Sequence, residues 1–454
     1  MIHHNAALRA TVQGAEYART IVAPVPTIVP NGRAVLGSIT DFSDTDVTVL
    51  KPDGTTENIG FDYAVICTGS SYTAPGKLAL KQPKAVVEYY GQLSTALAKS
   101  KHVVIVGGGP VGIEFAGEIA AQYGSDVKVT LAHRGPKLFS GAWTSTTAGQ
   151  VADGPAAYAK IRLEGMGVEV LLNTGVVSPH APPTGGGAAD AEAAAEQVAA
   201  VDTATDGKAT DTASDAKDGE LATADTAEDK PAEGGGAADA KGADAALGEP
   251  VPAVEHTTSP FGEGVTLPAD KKVFTTAGAQ LDADIVFWCT GATPNTQWLR
   301  TSHSDLLDER GFVKVDAHLR VLGKEHIFCL GDCAGSGDQK LAYRAMEQTD
   351  KVVFPNLQAL IAAADAGRDT SAVQLKSLEV GKPAAVVSFG PEHAMADLGG
   401  FSLCECLVVR MKARDLFRKE FKEQTHGTAA DYTDWAAQGV PGWDLPPPAA
   451  GQAK

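Results

Sequence analysis

The sequence predicts an α/β fold with two Rossmann-like dinucleotide-binding domains, one interrupting the other, and a small C-terminal α+β domain. Three observations support this prediction. A Gly-x-Gly-x-x-Gly motif joins a strand to a helix at residues 102–123, short apolar strands alternate with helices, and a strand ending in Thr-Gly occurs on each side of the motif. With 454 residues, of which 44% are apolar, the chain can form two or three domains.

Short apolar runs rich in β-branched residues predict the buried strands of these sheets. They occur at residues 63–67, 103–106, 127–131, 285–289 and 327–330. Helical patterns follow at residues 111–123 and 341–361, and strand-like segments return at 384–409 before a basic helical stretch. This alternation is typical of parallel, doubly wound sheets.

One segment, residues 181–250, has the composition of a disordered insert. It contains sixteen Asp and Glu against four Lys, so it supplies −12 of the formal net charge of −18. It has no aromatic residue, and such a segment cannot bury enough apolar surface to offset its ordering entropy. We expect a neutral extension of a surface loop, with a functional tether as the alternative.

The sequence has no cluster of basic residues typical of a nucleic-acid-binding surface, so no nucleic-acid partner is expected.

The glycine motif is the strongest functional signal. A buried strand ends in Gly107, and Gly109 and Gly112 complete the pattern as a helix begins. The first glycine permits a tight turn, the second lets the backbone approach a pyrophosphate, and the third lets the helix pack on the strand. The helix N-terminus then favours the phosphate charge. These glycines are candidates for binding a nicotinamide dinucleotide.

The position that distinguishes NAD from NADP is irregular. The second strand ends in Ala132-His133-Arg134, where an NAD-selective fold carries Asp or Glu. Arg134 can pair with a 2′-phosphate, which favours NADPH. The alternatives are an arginine that faces solvent, or use of both cofactors.

Two strands end in the same dipeptide. Thr68-Gly69 follows one of them and Thr290-Gly291 follows the other, and the glycine motif lies between them in the sequence. One such ending means little, but two are expected where a chain leaves one nucleotide domain and later returns to it.

A third strand end carries a carboxylate. Residues 327–330 lead into Gly331-Asp332 before a long helix. A carboxylate there can accept a hydrogen bond from a polyol hydroxyl, and the glycine permits close approach of a flavin cofactor. An isolated Asp332 is more often a helix N-cap.

The six cysteines form no recognised redox or metal motif. They lie at positions 67, 289, 329, 333, 404 and 406, without C-x-x-C or C-x4-C spacing. The pair Cys329 and Cys333 is a weak metal signal, and buried thiols are the favoured interpretation, so no metal site is predicted. Free cysteines are typical of a reducing compartment, and no apolar run has the ~20 residues needed to span a bilayer. A cytoplasmic location is expected, with membrane-associated and organellar locations as alternatives.

Together these motifs resemble the pyridine-nucleotide-dependent flavoprotein oxidoreductases. Three further runs resemble the apoptosis-inducing factor-like branch, which includes the ferroptosis suppressor proteins: His3-His4-Asn5-Ala-Ala-Leu-Arg9, Lys340-Leu-Ala-Tyr343 and Met411-Lys412-Ala-Arg414-Asp415-Leu-Phe417. The resemblance spans nearly the whole chain outside the insert and the tail. It implies FAD and NAD(P)H as cofactors, and electron transfer from NAD(P)H through the flavin to a quinone-type acceptor.

The resemblance also implies roles for individual residues. Catalytic roles near the flavin and the acceptor fall to Glu114, Lys412 and His4. Cofactor-binding roles fall to Arg9, Asp332, Gly331, Thr68, Gly69, Gly107, Gly109, Gly112, Arg134, Gly291 and Lys340, with Arg9 and Asp332 contacting FAD. The alternatives are a carboxylate favoured by the helix dipole for Glu114, a terminal residue for His4, and a solvated basic patch for Lys412.

The start of the chain departs from this family pattern. Family members begin with a strand and a Gly-x-Gly-x-x-Gly motif well before the His-His-Asn run, whereas Met1 lies two residues before His3. We therefore expect the N-terminal β-α unit of the FAD domain to be missing, with a mis-assigned start codon as the explanation. Ile2 stands where relatives carry a myristoylated Gly, so no lipid anchor is expected.

The predicted domains follow from these assignments. They are a truncated first part of the FAD domain at 1–80, an NAD(P)H domain at 81–290 that contains the insert 181–250, a second part of the FAD domain at 291–372, a C-terminal domain at 373–427 and a disordered tail at 428–454. The basic segment 410–422 has Phe417 and Phe421 at helical spacing, so peripheral membrane contact is one interpretation and an inward-packed helix is the other.

The predicted function is that of an FAD-dependent NAD(P)H:quinone oxidoreductase. The alternatives are an NAD(P)H reductase of a small electron-transfer protein, and a non-catalytic nucleotide-binding or signalling protein in case the truncated start is real. The oligomeric state stays open.

Overall fold

The structure is a computed structural model, and its description covers residues 2–3, 7–23, 32–78, 80, 82–140, 153–177 and 259–425. Three sequence-based predictions lie outside these residues: the disordered insert 181–250, the tail 428–454 and the catalytic role of His4. The domain boundaries given above remain predictions.

The strands are numbered in chain order. They are β1 (Ile2–His3), β2 (Val22–Ala23), β3 (Ser38–Phe42), β4 (Asp46–Leu50), β5 (Thr56–Gly60), β6 (Ala64–Ile66), β7 (Ser70–Tyr72), β8 (His102–Val106), β9 (Lys128–Ala132), β10 (Glu169–Leu171), β11 (Val265–Thr266), β12 (Lys272–Phe274), β13 (Gln280–Asp282), β14 (Ile285–Trp288), β15 (Ala292–Pro294), β16 (Ile327–Cys329), β17 (Ala384–Phe389), β18 (His393–Leu398) and β19 (Ser402–Leu403).

The α-helices are numbered in the same way. They are α1 (Ala7–Arg19), α2 (Pro83–Lys99), α3 (Pro110–Tyr123), α4 (Asp153–Gly165), α5 (Gln297–Arg300), α6 (Ala342–Gln348), α7 (Phe354–Asp365), α8 (Glu405–Val408) and α9 (Arg418–Thr425). Short π-helical segments at Thr349–Val353 and Val409–Ala413 continue α6 into α7 and extend α8.

A five-stranded sheet forms the centre of the dinucleotide-binding domain. Its strand order is β10-β9-β8-β14-β11, and every neighbouring pair is parallel except β11 with β14. Strands β8 and β14 are almost wholly buried, which explains why their sequences are continuous apolar runs. On one face, Phe115 of α3 meets Phe287 edge-on with 4.5 Å between ring centroids. The predicted Rossmann-like α/β architecture is confirmed for this domain.

Strands β3 to β7, β15 and β16 belong to the second nucleotide domain and its connections. Strands β6 and β16 pair in parallel, with Ile66 opposite Cys329, and β3, β4 and β5 form an antiparallel sheet. The two Thr-Gly strand ends lead directly into β7 and β15, which pair antiparallel with each other. The chain therefore leaves one nucleotide domain and returns to it along adjacent strands, as the repeated dipeptide predicts.

The C-terminal domain is an antiparallel sheet covered by short helices. Its strand order is β17-β18-β19, and the dinucleotide helix α3 packs against β17. A Cβ on Gly117 would lie 2.5 Å from the Cα of Phe389, so only glycine permits this close approach of helix and strand. The sheet therefore sits directly behind the helix that starts at the glycine motif.

Residues 410–422 do not form the single helix that their spacing predicts. The chain leaves the π-helical segment at Ala413, and Leu416 and Phe417 then adopt positive φ of 55° and 61° before α9 begins. Phe417 is 43% exposed, whereas Phe421 is buried at 7%. The two rings thus do not share one exposed face, because a turn separates them. No helix among the described residues is long and apolar enough to cross a membrane.

Candidate functional site

The glycine motif forms a loop closed tightly on one side and open on the other. Gly107 has a φ of 116°, and a Cβ there would lie 2.2 Å from the carbonyl oxygen of Cys289. A Cβ on Gly112 would lie 1.9 Å from the Gly107 carbonyl oxygen. A Cβ on Gly109 would meet no atom within 4 Å among the described residues apart from its own chain neighbours and helix backbone. The outer two glycines therefore serve packing, and the middle one leaves room for a pyrophosphate, as the motif requires.

The end of β9 carries the two residues at the ribose position. His133 is buried and turns toward the glycine loop, where its Nδ1 lies 3.1 Å from the Gly108 nitrogen. Arg134 is exposed, and no hydrogen bond or ion pair of its side chain is present among the described residues. Its guanidinium is therefore available to a phosphate, which supports the predicted role without testing it.

The Gly-Asp strand end faces the first Thr-Gly strand end. Asp332 accepts a hydrogen bond of 2.6 Å from the Ser70 hydroxyl, and the Lys77 ammonium lies 3.4 Å from the same carboxylate oxygen. Gly331 has a φ of 74°, and its N–H donates to the buried amide of Gln348 at 2.9 Å. Residues that follow β6 and β16 thus hold the half-exposed carboxylate of Asp332 at the end of this parallel strand pair.

The donor groups beside Asp332 suit a polyol and phosphate ligand. The buried hydroxyl of Thr68 has only the weakly hydrogen-bonding thiol of Cys333 beside it among the described residues, and Gly69 has open space where a Cβ would lie. Gly291 is open in the same way. A buried hydroxyl without an oxygen or nitrogen partner, together with two open glycines, leaves room and hydrogen-bonding capacity for a ligand, so the residues present fit a dinucleotide cofactor.

Lys340 lies next to this edge. Its ammonium donates to the carbonyl of Ala334 and lies 5.0 Å from the centroid of the Phe312 ring. Burial lowers the pKa of Lys340, while the nearby Asp332 carboxylate opposes that effect. Lys340 therefore lies near the Gly-Asp motif, and its cofactor-binding role remains a prediction.

Glu114 and Lys412, both predicted to be catalytic, are in direct contact. The Lys412 ammonium donates to Glu114 Oε1 and, at 2.6 Å, to the carbonyl of Val386. The Ser388 backbone N–H donates to the same Glu114 oxygen at 3.1 Å. Both side chains are mostly buried, at 19% and 17% exposed for Glu114 and Lys412. Glu114 lies one turn inside α3, so its partners, rather than the first-turn dipole alone, account for its position.

Arg9 lies behind this pair. Its guanidinium forms two bonds with Glu118, of 2.9 and 2.6 Å, and donates to the backbone carbonyls of Ala413 and Arg414. Most of its donors are thus used within the protein. The predicted contact between Arg9 and FAD remains a prediction, for which the second hydrogen on Nη1 is the remaining donor.

Four of the cysteines form two close thiol pairs that the spacing rules did not predict. Buried Cys329 and Cys333 have sulfur atoms 3.6 Å apart, and exposed Cys404 and Cys406 have sulfur atoms 3.1 Å apart. A hydrogen bond from Cys329 lowers the pKa of Cys333 to about 6, although burial opposes this shift. Buried thiols at Cys329 and Cys333 were the favoured interpretation, and this interpretation is confirmed.

Sequence reasoning missed several partners of the site residues. They are Ser70, Lys77, Glu118, Gln348 and Ser388, each joined to a predicted residue by a hydrogen bond or ion pair. Asn295 was also missed: its N–H donates to the Gly69 carbonyl and its side-chain amide to the Thr68 carbonyl. For Asn295 a signal existed, because it follows the second Thr-Gly dipeptide closely.

Comparison with known proteins decides the family. The sequence profile of the pyridine nucleotide-disulphide oxidoreductases matches residues 9–207 and 242–349, which is most of the chain. The chain belongs to this family. The family membership confirms the predicted α/β fold, and it establishes the protein as an FAD-dependent NAD(P)H oxidoreductase.

The oxidoreductase is similar to members of the predicted branch. It is 23% identical to ferroptosis suppressor protein 1 of Xenopus laevis over 93% of this chain and 86% of that protein. It is 22% identical to apoptosis-inducing factor homolog B of Dictyostelium discoideum over 93% of this chain and 87% of that protein.

A solved structure supports the fold. Reduced CoADR-RHD of Bacillus anthracis matches 90% of this chain with a TM-score of 0.50 and 14% identity, and the oxidoreductase spans 56% of that chain. At this identity the match shows the fold alone.

Proposed function

We propose that the oxidoreductase passes electrons from NAD(P)H to a quinone-type acceptor, and that Glu114 and Lys412 form the acceptor side of the site. The observation that carries the proposal is the contact between these two side chains. It joins the helix that begins at the dinucleotide loop to the C-terminal domain. Similarity to the ferroptosis suppressor and apoptosis-inducing factor proteins supports the same branch.

The chemistry of Lys412 suits a quinone. Reduction of a quinone adds two electrons and two protons, and negative charge develops on its oxygen atoms before they are protonated. An ammonium has three N–H groups, of which Lys412 donates one to Glu114 and one to Val386. The third N–H is uncommitted among the described residues. It can stabilise an oxygen anion or supply a proton to it.

Glu114 holds that ammonium in place. Its carboxylate accepts from Lys412 and from Ser388, so its position is fixed from two sides. Bound FAD would supply the redox carrier between the two substrates, and the residues that fit it are Thr68, Gly69, Gly331 and Asp332.

Exposed apolar side chains support contact with a membrane that holds a lipid-soluble quinone. Met411 is 51% and Phe417 43% exposed, and exposed Arg410 and Arg414 flank them. Cations around apolar side chains are typical of segments that contact an anionic lipid surface. In this proposal the quinone reaches Lys412 from the surface that carries Met411 and Phe417.

The proposal is tested by separating the two half-reactions. In FAD-loaded protein, Lys412→Met retains most of the length of the side chain and removes its charge. We expect reoxidation by a short-chain ubiquinone analogue to slow by about a hundredfold, the scale of a positioned acid, while anaerobic flavin reduction by NADPH stays normal. Stopped-flow absorbance measures both steps.

The matched control is Lys160→Met, which removes another paired lysine from the exposed face of α4. It should change neither half-reaction. If Lys412→Met slowed only the reductive step, or neither step, the acceptor assignment would be wrong. Fast reoxidation by a ferredoxin-type protein with slow reoxidation by quinone would favour the small electron-transfer protein as acceptor.

A further inference from the structure

The segment that follows β9 holds Gly108 of the dinucleotide loop at both of its backbone polar groups. The Gly108 N–H donates to Nδ1 of His133 at 3.1 Å. The Gly108 carbonyl accepts from the backbone N–H of Phe139 at 2.8 Å. Gly108 therefore cannot rotate without breaking two buried hydrogen bonds.

The hydrogen bonds around His133 identify its tautomer. The Ser140 hydroxyl lies 2.6 Å from the carbonyl oxygen of Lys137 and 2.8 Å from His133 Nε2. Because a carbonyl only accepts, Ser140 gives its single hydrogen to Lys137 and must accept a hydrogen from Nε2. Nδ1 then carries the lone pair that Gly108 needs, so the ring is neutral with its hydrogen on Nε2.

This position in a dinucleotide-binding sheet usually carries the carboxylate that binds the ribose. Here the side chain points back to the loop instead. We propose that His133 is a positioning residue of the dinucleotide site, which holds the Gly107–Gly112 loop in its ligand-binding conformation while the imidazole is neutral. The proposal rests on dinucleotide binding at this loop and does not depend on the acceptor.

Protonation of His133 removes the acceptor. A hydrogen on Nδ1 would face the Gly108 N–H, so two donors would oppose each other across a buried contact. Among the charged groups near the ring, Arg134 is adjacent and also disfavours the charged form, and the Lys137 ammonium is paired with Asp153. Burial is the largest influence and lowers the pKa of His133 below its usual value; the Lys137 and Ser140 backbones oppose this shift, and Arg134 adds to it.

The sign of the pH effect follows from that direction. A histidine whose folded pKa is lowered binds its proton more weakly in the ordered loop than in a disordered one. The ordered loop is therefore fully stable above the ordinary histidine pKa of about 6.5, and loses stability as the pH falls below it. Dinucleotide affinity should fall over the same range.

The experiment measures binding of NAD⁺ to the FAD-loaded protein by calorimetry from about pH 8 to about pH 5. NAD⁺ is chosen because the 2′-phosphate of NADP⁺ itself titrates near pH 6. Use of the oxidised ligand prevents turnover. For the native protein we expect the affinity to fall by about tenfold or more at the acid end, the equivalent of one lost buried hydrogen bond.

Two variants separate a positioning role from a structural one. His133→Asn places an amide oxygen near the position of Nδ1 and cannot titrate, so it should bind NAD⁺ with nearly native affinity at about pH 8 and lose the acid decline. His133→Ala should bind about tenfold more weakly at both ends of the range. Parallel pH profiles for the native protein and His133→Asn, or native affinity in His133→Ala, would overturn the proposal.

A direct measurement covers the case in which a variant fails to fold. The ¹⁵N chemical shifts of the His133 ring in the native protein should show a protonated Nε2 and an unprotonated Nδ1 at about pH 7. The opposite tautomer, or a charged ring, would also overturn the proposal. Because no acceptor is present in either measurement, a wrong assignment of the quinone site would not affect the result.

Discussion

Arg9 and Glu118 form a buried ion pair with two bonds, of 2.9 and 2.6 Å, and their side chains are only 2% and 3% exposed. The pair joins α1 to the dinucleotide helix α3. Arg9 also donates to the carbonyls of Ala413 and Arg414, so three segments from distant parts of the sequence meet at one guanidinium. The Glu114–Lys412 contact depends on the position of the same helix and the same π-helical segment.

Removing one member of this pair should destabilise the protein strongly. Glu118→Gln keeps the volume of the side chain and leaves the guanidinium buried without a counter-charge. We expect the free energy of unfolding to fall by about 3–5 kcal/mol. Urea unfolding followed by circular dichroism measures this free energy.

The control is Glu164→Gln, which breaks the exposed pair with Lys160 and should lower the free energy of unfolding by less than about 1 kcal/mol. Equal losses in the two variants would contradict a structural role for the buried pair.

The contrast between these residues shows what the sequence could predict. The glycine motif and the strand ends were predictable because each is a local pattern. A few neighbouring residues are enough to define its steric requirement. The Glu114–Lys412 contact joins residues 298 positions apart, and only a family resemblance singled them out. Arg9 was singled out but its partner Glu118 was not, because a charged residue on an apolar helix gives no sign of which distant residue neutralises it.

The prediction of a single helix over residues 410–422 was wrong for a different reason. Its apolar spacing fits a helix, but Leu416 packs into the core beside α1 and forces a turn with positive φ. Tertiary packing overrides local propensity there. No local pattern distinguishes a phenylalanine that ends in the core, such as Phe421, from one that stays exposed, such as Phe417.

Asp284 should make stability depend on pH in the acid range. Its carboxylate accepts from the backbone N–H groups of Lys101 and His102, at 2.7 and 2.9 Å, and pairs with the Lys271 ammonium. Burial alone would raise the pKa of Asp284, but these three donors outweigh it and hold the pKa at about 2. Since the folded pKa is lowered, the stabilisation is present above the ordinary value of about 3.9 and is lost as the pH falls toward 2.

The test compares Asp284→Asn with the native protein. At about pH 7 we expect the variant to be less stable by about 2 kcal/mol, and the difference should shrink progressively below about pH 4. Urea unfolding at a series of pH values measures the difference. Asp282→Asn removes an exposed carboxylate of β13 nearby and controls for the change in net charge. A difference that did not vary with pH would show that the carboxylate charge is not what stabilises the start of β8.

Asp332 should determine how firmly FAD is held. One carboxylate oxygen accepts from Ser70, and the other is uncommitted among the described residues. Loss of a hydrogen bond to a charged group costs about 1.5–3 kcal/mol, so Asp332→Ala should weaken FAD binding by about ten- to a hundredfold. Quenching of FAD fluorescence on binding measures the affinity. Asp365→Ala, on the exposed end of α7, is the control, and an equal loss there would mean that net charge rather than contact governs binding.

The exposed side chains of Met411 and Phe417, with the arginines that flank them, should mediate lipid binding. We expect the protein to sediment with phosphatidylserine-containing vesicles more than with phosphatidylcholine vesicles, and to be released by high salt, because the attraction is electrostatic. The double variant Met411→Asp with Phe417→Asp should lower the bound fraction by about tenfold. Leu36→Asp changes an equally exposed leucine elsewhere, at 62% exposed, and should bind as the native protein does. Weak binding of the native protein to both vesicle types would exclude the contact.

Arg134 should determine the preference between the two nicotinamide cofactors. It is exposed at the end of β9, directly after His133, where the carboxylate that favours NAD is absent from the sequence. A charge-assisted bond from arginine to a 2′-phosphate contributes about 1.5–3 kcal/mol, whereas NAD⁺ offers only a neutral 2′-hydroxyl at this position. Arg134→Ala should therefore weaken binding of NADP⁺ by about ten- to a hundredfold and leave NAD⁺ almost unchanged. Calorimetry at about pH 8 measures both affinities, since the 2′-phosphate is fully ionised there.

The control is Arg368→Ala, which removes an exposed arginine after α7 and so tests the loss of one surface charge. Equal effects of Arg134→Ala on the two cofactors would show that its guanidinium faces solvent, and the preference for NADPH would then have to come from other residues.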